Sequence, residues 1–204
     1  MSGAGWRVGF VKSCAAVRDL PLDAMPEAAL LGRSNAGKSS LLNALAGHAQ
    51  LARTSRTPGR TRLLNLFEVR FGAHGRLRLV DCPGYGYARA GRGERERWGA
   101  LVEAYLAQRA NLRLGVLLAD AGVPPQALDL EAWDWLRARG LALQLVATKC
   151  DRLGGNQRAQ ALRRLAAAFG AAPLPFSAVA KLGQAELRQA IEAVATATPP
   201  TAGR

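Results

Sequence analysis

Eight residues near the start of the chain have the spacing of a phosphate-binding loop. The stretch 32–39, GRSNAGKS, matches G-x-x-x-x-G-K-S/T. In such a loop, glycines let backbone N–H groups turn toward phosphate oxygens, and the helix that follows adds its positive end. Lys38 adds a point charge, and Ser39 offers a hydroxyl to Mg²⁺. The pattern predicts a nucleotide site formed by Gly32, Arg33, Ser34, Asn35, Ala36, Gly37, Lys38 and Ser39.

A second motif, Thr148–Asp151 (TKCD), directly follows an apolar stretch at 141–147. It resembles the guanine-recognition motif of GTPases. A carboxylate at Asp151 can accept hydrogen bonds from N1–H and the N2 amine of guanine, and adenine has neither donor at that edge. Lys149 is expected to pack its stem along the base. Thr148 has a hydroxyl where GTPases usually have an Asn amide, which allows a modest change in base affinity. The remaining residue of the motif, in its third position, is Cys150.

Two weaker patterns complete an ordered series. Asp81-Cys82-Pro83-Gly84 follows an apolar stretch and matches D-x-x-G, in which the Asp holds Mg²⁺ through water and the Gly N–H meets the γ-phosphate. Phe176-Ser177-Ala178 precedes the last expected helix and could offer backbone N–H groups to guanine O6. In isolation the first pattern is compatible with an ordinary turn, and the second carries no information. Their order along the chain predicts a guanine nucleotide site.

These motifs need strands and helices to position them. Apolar runs predict strands at 27–32, 63–71, 76–80, 114–119, 141–147 and 172–176. Helical spacing predicts helices at 39–45, 94–108, 128–139, 157–169 and 184–195. Such alternation, without repeats, predicts an α/β fold: a three-layer, doubly wound, mostly parallel sheet of the P-loop NTPase type, with ligands at the carboxyl ends of the strands.

Composition narrows the class of protein. With 204 residues, 49% of them hydrophobic and 21% charged, the chain has the composition of a soluble globular domain. Three cysteines without metal-ligand spacing favour a reducing cytosol, and no apolar run is long enough for membrane insertion. The formal net charge of +13 points to a polyanionic partner, most often nucleic acid. Codon bias explains arginine in place of lysine, but it does not explain the excess of positive charge.

Further strings indicate a family. Together with Thr57-Pro58-Gly59-Arg60-Thr61 and the extension of the D-x-x-G motif to DCPGYGYA at 81–88, the motifs resemble the EngB (YihA/YsxC) family of bacterial GTPases, over about residues 10–195. The resemblance implies a G domain that hydrolyses GTP to GDP, acts in assembly of the large ribosomal subunit, and is linked to normal cell division and septation. The expected partners are precursor rRNA and ribosomal proteins, and the expected protein is a cytoplasmic monomer.

The resemblance also implies functional residues in a first switch. Ser39 and Thr61 become the Mg²⁺ ligands, with Thr57 as a rival for the second place. The expected first switch is Gly59, Arg60, Thr61, Arg62 and Leu63. The domain organisation is then a GTPase domain at 27–195, an N-terminal arm at 1–26 in which the alternating stretch 6–11 allows a strand, and a frayed tail at 196–204.

Hydrolysis is expected to depend on Lys38, Thr61, Gly84 and Asn35. Tyr85 follows the D-x-x-G motif at the place where Ras-like proteins have a water-orienting Gln, so intrinsic turnover should be slow. Asn35 matches GTPases in which this Asn helps to hold K⁺, and a loop-capping amide is the alternative. Arginines crowd both expected switches, at 53, 56, 60 and 62 and at 89, 92, 95 and 97, which favours RNA over a merely solvated face.

Two other classes of protein remain open at this stage. A P-loop kinase would need neither Asp151 nor D-x-x-G, and equal competition by ATP and GTP would favour it. A nucleotide-dependent septation scaffold without a ribosomal role would fit the division link, although the chain has no amphipathic anchor or lipidation signal.

Overall fold

The computed structural model describes residues 5–48, 50–52, 63–85 and 92–196, with only the backbone for 92–98. Strands and helices alternate as the sequence predicts. The strands are β1 (Arg7–Cys14), β2 (Glu27–Gly32), β3 (Leu64–Phe71), β4 (Gly75–Asp81), β5 (Leu112–Asp120), β6 (Ala142–Thr148) and β7 (Leu174–Pro175). The helices are α1 (Lys38–Ala46), α2 (Arg92–Gln108), α3 (Ala127–Arg137), α4 (Gly155–Phe169) and α5 (Gln184–Thr196).

The strands form one seven-stranded sheet in the order β1-β3-β4-β2-β5-β6-β7. From β4 to β7 all neighbours pair in parallel, and β1 and β3 add antiparallel pairs at one edge. The central strand β2 is buried at every position, as expected for a strand covered on both faces. The predicted three-layer, mostly parallel α/β sheet is confirmed. Within the described ranges, none of the helices has the length and apolar character needed to cross a membrane.

Two apolar clusters cover the two faces of the sheet. One contains residues of α2, α3 and α4, among them Tyr105, Trp133 and Leu165. The other contains residues of α1 and α5, among them Leu42 and Ile191. The helices are thus divided between the two faces, which fixes the loops after β2, β4, β5 and β6 at the carboxyl edge of the sheet.

The N-terminal segment contributes an edge strand to the sheet. The sequence predicts an arm at 1–26 that allows a strand, and β1 is that strand, paired with β3 over seven residue pairs. Trp6 is buried in the apolar cluster that also contains Leu42 and Ile191, and its Nε1 donates to Glu192 Oε1 on α5 at 2.5 Å. The alternating stretch allowed this strand; its partner, far along the chain, could not be inferred from it. Residues 197–204 of the expected tail lie outside the described residues.

Most element bounds agree with the predictions to within a few residues. The last strand is shorter than expected, Leu174–Pro175 instead of 172–176, and Pro175 has no N–H to donate to the ladder. The predicted helix at 128–139 ends at Arg137, and the chain then turns at Gly140, whose φ of 66° favours glycine.

A buried charge network holds the amino end of β2. The Glu27 carboxylate accepts hydrogen bonds from Arg78 Nη1 at 2.9 Å, Arg109 Nη2 at 2.7 Å and Tyr105 Oη at 3.0 Å. Arg78 also donates to Asp23 Oδ2 at 2.7 Å. Burial of the Glu27 carboxylate is tolerated because charged donors surround it. The network joins β2, β4 and the end of α2 at the edge of the sheet opposite the predicted site.

Candidate nucleotide site

The predicted phosphate loop joins the end of β2 to the start of α1, with Gly37 at the N-cap position of the helix. Gly37 has no side chain with which to cap α1, so the first N–H groups of the helix can be taken by an anion. Gly37 has φ of 101° and Asn35 φ of 64°, both in the left-handed region. A Cβ at Gly32 would lie 2.8 Å from the Leu118 carbonyl oxygen. The loop therefore needs glycine at both ends, as the motif predicts.

Lys38 and Asp81 are buried together beneath this loop. Lys38 Nζ donates to the carbonyl oxygens of Gly32 at 2.9 Å and Arg33 at 3.2 Å. Burial lowers the pKa of Lys38, and the Asp81 carboxylate opposes that effect. Burial raises the pKa of Asp81 to about 6, and Lys38 opposes the rise. Among the residues that the structure describes, Asp81 Oδ1 has no hydrogen-bond partner. A buried carboxylate oxygen without a donor fits a hydrated Mg²⁺ ion.

The D-x-x-G segment lies directly against the phosphate loop. The Ser34 N–H donates to the Tyr85 carbonyl at 3.0 Å, which extends the pairing of β2 with β4 beyond the strands. A Cβ at Gly84 would lie 2.9 Å from both Lys38 Nζ and the Ser34 nitrogen. Only glycine fits there without displacing Lys38. The structure thus brings Gly84 to Lys38, where both can face the terminal phosphate of a nucleotide.

The guanine motif and the Phe176–Ala178 motif meet at the other end of the loop. Ser177 Oγ donates to Asp151 Oδ1 at 2.6 Å, and the Ala180 N–H donates to the same Ser177 Oγ at 2.9 Å. The Cys150 N–H donates to the Phe176 carbonyl at 3.2 Å. Asp151 itself is exposed, so one side of its carboxylate is fixed by Ser177 and the other can receive a base.

Thr148 connects this motif to the phosphate loop. The side chain is buried, and its Oγ1 lies 2.6 Å from the Ala36 carbonyl oxygen and 3.2 Å from that of Ala119. The hydroxyl has one proton, which the shorter contact to Ala36 takes. Thr148 therefore braces the phosphate loop from below, and its hydroxyl is engaged by backbone carbonyls.

Lys149 has a partner that the sequence interpretation missed. Its Nζ forms an ion pair with Asp120 Oδ2 at 2.7 Å, and its own φ of 59° is left-handed. An L residue in that conformation costs about 1–2 kcal/mol, which the surrounding contacts must offset. Asp120 ends β5 and pairs with Thr148 in the parallel ladder. The sequence signal for Asp120 was a carboxylate at the carboxyl end of the strand beside the guanine motif, because ligands bind at that edge of the sheet.

Tyr85 and Asp129 form a second contact that sequence reasoning missed. Tyr85 Oη donates to Asp129 Oδ1 at 2.9 Å, and burial raises the pKa of both groups. Asp129 lies in the first turn of α3, next to a cavity of about 220 Å³ that is also lined by Asn35, Asp120 and Lys149. The hydroxyl of Tyr85 is thus directed to α3. Slow intrinsic turnover stays a prediction.

Several predicted residues contribute backbone rather than side chain to this region. The side chains of Cys82, Cys150 and Phe176 are buried in the core, and burial raises the pKa of both thiols. Leu63 is described and partly exposed. The other predicted residues of the first switch, Gly59–Arg62, lie outside the described residues, and so does Thr57, the rival Mg²⁺ ligand. The arginines at 53, 56 and 89 and the side chains of those at 92, 95 and 97 also lie outside them.

Comparison with known proteins agrees with this geometry. Residues 27–149 match a family model described as 50S ribosome-binding GTPase. A probable GTP-binding protein EngB of Pelotomaculum thermopropionicum is 49% identical over 154 residues, or 76% of each chain. A second one, of Anaeromyxobacter sp. strain K, is 44% identical over 201 residues, or 95% of this chain and 93% of the relative.

Solved structures show the same fold. A crystal structure of a probable GTP-binding protein engB superposes with a TM-score of 0.66 at 23% identity, over 83% of this chain and 98% of that one. Era in complex with MgGDPNP and a segment of 16S ribosomal RNA superposes with a TM-score of 0.71 at 20% identity, over 88% and 59% of the two chains. The identity and coverage of the sequence relatives place this chain in the EngB family of GTP-binding proteins, and the protein is a GTPase.

Proposed function

We propose that this GTPase is a nucleotide-dependent switch that acts in assembly of the large ribosomal subunit. The observation that carries the proposal is the match of residues 27–149 to a family described as 50S ribosome-binding GTPases. The formal charge of +13 supports it, because a chain with that excess attracts a polyanion such as rRNA.

The proposed nucleotide contacts follow from the geometry described above. The phosphates are cradled by the loop 33–37 and the first N–H groups of α1, with the Lys38 amine beneath them. Asp151, held by Ser177, accepts the two N–H groups at the edge of guanine. Lys149, already paired with Asp120, lies beside the base. Because Thr148 joins the two loops, binding of the base and of the phosphates is mechanically linked.

Ser39 and Asp81 fit a magnesium ion. Ser39 follows Lys38 at the start of α1, and Asp81 has a buried oxygen without a donor among the described residues. A divalent ion bound there would neutralise phosphate charge. Thr61 is the proposed second hydroxyl ligand and lies outside the described residues. Gly84, next to Lys38, is the proposed sensor of the terminal phosphate.

Asn35 is the proposed contact for K⁺ during hydrolysis. Its side chain is exposed beside the cavity that Asp120 also lines. GTP turnover measured at equal concentrations of KCl and NaCl tests this role. Faster turnover in KCl that is lost in Asn35→Ala supports it, and equal rates in the two salts overturn it.

A particle pull-down tests the switch. The full chain is incubated with immature large-subunit particles in a non-hydrolysable GTP analogue or in GDP. We expect retention with the analogue and release with GDP, since the terminal phosphate orders the segments that contact the particle. Equal retention would contradict the switch.

Depletion of the protein from cells tests the ribosomal role. We expect loss of mature large subunits; normal ribosome profiles with defective septation would instead favour the scaffold role.

A further inference from the structure

We propose that a row of three arginines across β1, β3 and β4 is a docking surface for the phosphate backbone of RNA, and that it works in every nucleotide state. Arg7 on β1 lies directly opposite Arg70 on β3, and Arg70 lies opposite Arg76 on β4. Directly opposed residues share a face of the sheet, with Cβ atoms about 5 Å apart. The inference deepens the proposed ribosomal function and rests on it.

This row is open to solvent. The side chains of Arg70 and Arg76 are 61% and 54% exposed, and Arg7 is exposed as well. No described residue has an atom within 4 Å of where a Cβ would lie at Gly9, the next residue of β1 on the same face. The surface beside Arg7 is therefore flat, and the backbone of a partner can approach the strand closely.

Within the described residues, one carboxylate forms ion pairs with the row. Glu68 Oε1 contacts Arg70 Nε at 2.8 Å and Arg76 Nη2 at 3.0 Å, and these hydrogen bonds lower the pKa of Glu68. Arg7 has no ion pair with any residue in the described ranges. One carboxylate for three guanidinium groups leaves two positive charges. Like charges directly opposite each other destabilise a sheet, so this arrangement is better explained by a bound anion than by stability.

The chemistry of the row favours RNA. Guanidinium groups bind phosphate oxygens through paired N–H donors, and groups repeated at the strand spacing of about 4.8 Å can contact successive charges of a polyanion. The whole chain has the charge of a nucleic-acid-binding protein, +13.

The row lies far from the nucleotide. Arg76 and Asp81 are five residues apart on β4, which corresponds to about 17 Å. Both positions belong to a rigid strand inside the sheet. The row should thus supply a constant share of RNA affinity, and the segments near the phosphates should supply the part that depends on GTP.

Binding of a fluorescent single-stranded oligouridylate to the full chain tests the proposal, with salt varied at fixed nucleotide. The main variant is Arg7→Gln with Arg76→Gln, which keeps the Arg70–Glu68 pair. Losing two phosphate contacts should make the negative slope of log K against log salt shallower by about 1.4 and weaken binding about 25-fold at 0.1 M salt. The matched control is Arg137→Gln with Arg163→Gln, two exposed arginines on α3 and α4, which should weaken binding less than about threefold.

A second test uses a variant that should bind RNA more tightly. Glu68→Gln removes the carboxylate that occupies two of the arginines, so RNA should bind about fivefold more tightly. The control Glu131→Gln, at an exposed position of α3, should change nothing. GDP affinity and thermal unfolding, measured for every variant, show that each is folded.

Three results would overturn the inference: a double variant no weaker than its control, a Glu68→Gln variant that does not bind more tightly, or polyglutamate that binds through the row as tightly as RNA. The contribution of the row should be equal in GDP and in the GTP analogue. A particle pull-down that does not depend on nucleotide would contradict the proposed switch and leave this result intact, so the two failures are distinguishable.

Discussion

Replacement of Asp151 by Asn tests the recognition of guanine most directly. The carboxylate accepts a hydrogen bond from Ser177 at 2.6 Å, and in the proposed site it accepts from two donors of the base. An amide keeps the shape but replaces one acceptor with an N–H₂ group, which then faces a guanine N–H. One charge-assisted hydrogen bond is lost, and one donor is left without a partner.

The size of this effect follows from the exposure of Asp151. Because the side chain is exposed, we take the lower end of each range: about 1.5 kcal/mol for the charge-assisted bond and about 1 kcal/mol for the unpaired donor. Their sum, about 2.5 kcal/mol, corresponds to roughly 60-fold weaker binding of GDP. Xanthosine diphosphate, with a carbonyl at position 2 that accepts from the amide, should bind the variant better than GDP does.

Calorimetric titration of the purified chain with GDP, ADP and xanthosine diphosphate measures these affinities. Asp134→Asn, at an exposed carboxylate of α3 away from the motif, is the matched control and should leave GDP affinity unchanged. If Asp151→Asn binds GDP as tightly as the unmodified chain, or if ADP competes equally with GDP before any substitution, the assignment of the base site is wrong.

Three further predictions concern the contacts that support the site. Thr148→Val leaves the Ala36 carbonyl without its donor and should lower the free energy of unfolding, measured by urea denaturation, by about 1–2 kcal/mol. Thr148→Ser keeps the hydroxyl and should not lower it. Equal stability of the unmodified chain and both variants would refute a stabilising role for this hydrogen bond. Glu27→Gln removes the charge that buried arginines share and should cost about 3 kcal/mol, a fall in Tm of about 6–12 °C by calorimetry; a fall below about 2 °C would contradict the network. The Arg78 guanidinium lowers the pKa of Asp23, so this pair stabilises the fold above the ordinary Asp pKa of 3.8 and loses its effect as pH falls through the depressed value in the folded state. Because the Asp23 side chain is 46% exposed, Asp23→Asn should cost only about 0.5 kcal/mol at pH 7, and this cost should shrink as pH falls below 3.8; a cost independent of pH would refute the ionic origin.

The elements of the fold could be predicted because each is set by local pattern. The run LGVLLA is apolar throughout and EAALLG is apolar after Glu27; such runs are what a strand buried on both faces needs, and β5 and β2 contain them. The motifs were then brought together by topology, since loops at the carboxyl ends of neighbouring parallel strands share one edge. The juxtaposition of Gly32–Ser39 with Thr148–Asp151 is of this kind.

The contacts that the sequence did not predict depend on the exact approach of side chains. Tyr85 and Asp129 are 44 residues apart, and each has an ordinary local explanation, a turn residue and a polar residue in the first turn of a helix. Lys149 was predicted at the base, but its ion pair with Asp120 follows from the left-handed turn at Lys149, which no propensity favours. The edge strand β1 was recognisable as a strand, and its place beside β3 was not.

The Glu27 network has a mechanical consequence for the helix that follows the D-x-x-G segment. Tyr105 and Arg109, at and just beyond the last turn of α2, both bond to a carboxylate at the foot of β2, the strand that leads into the phosphate loop. The carboxyl end of α2 is thus fixed to the strand that leads into the predicted phosphate loop. If loss of the terminal phosphate displaces this helix, the displacement would be a rotation about Tyr105 and Arg109, largest at the amino end of α2.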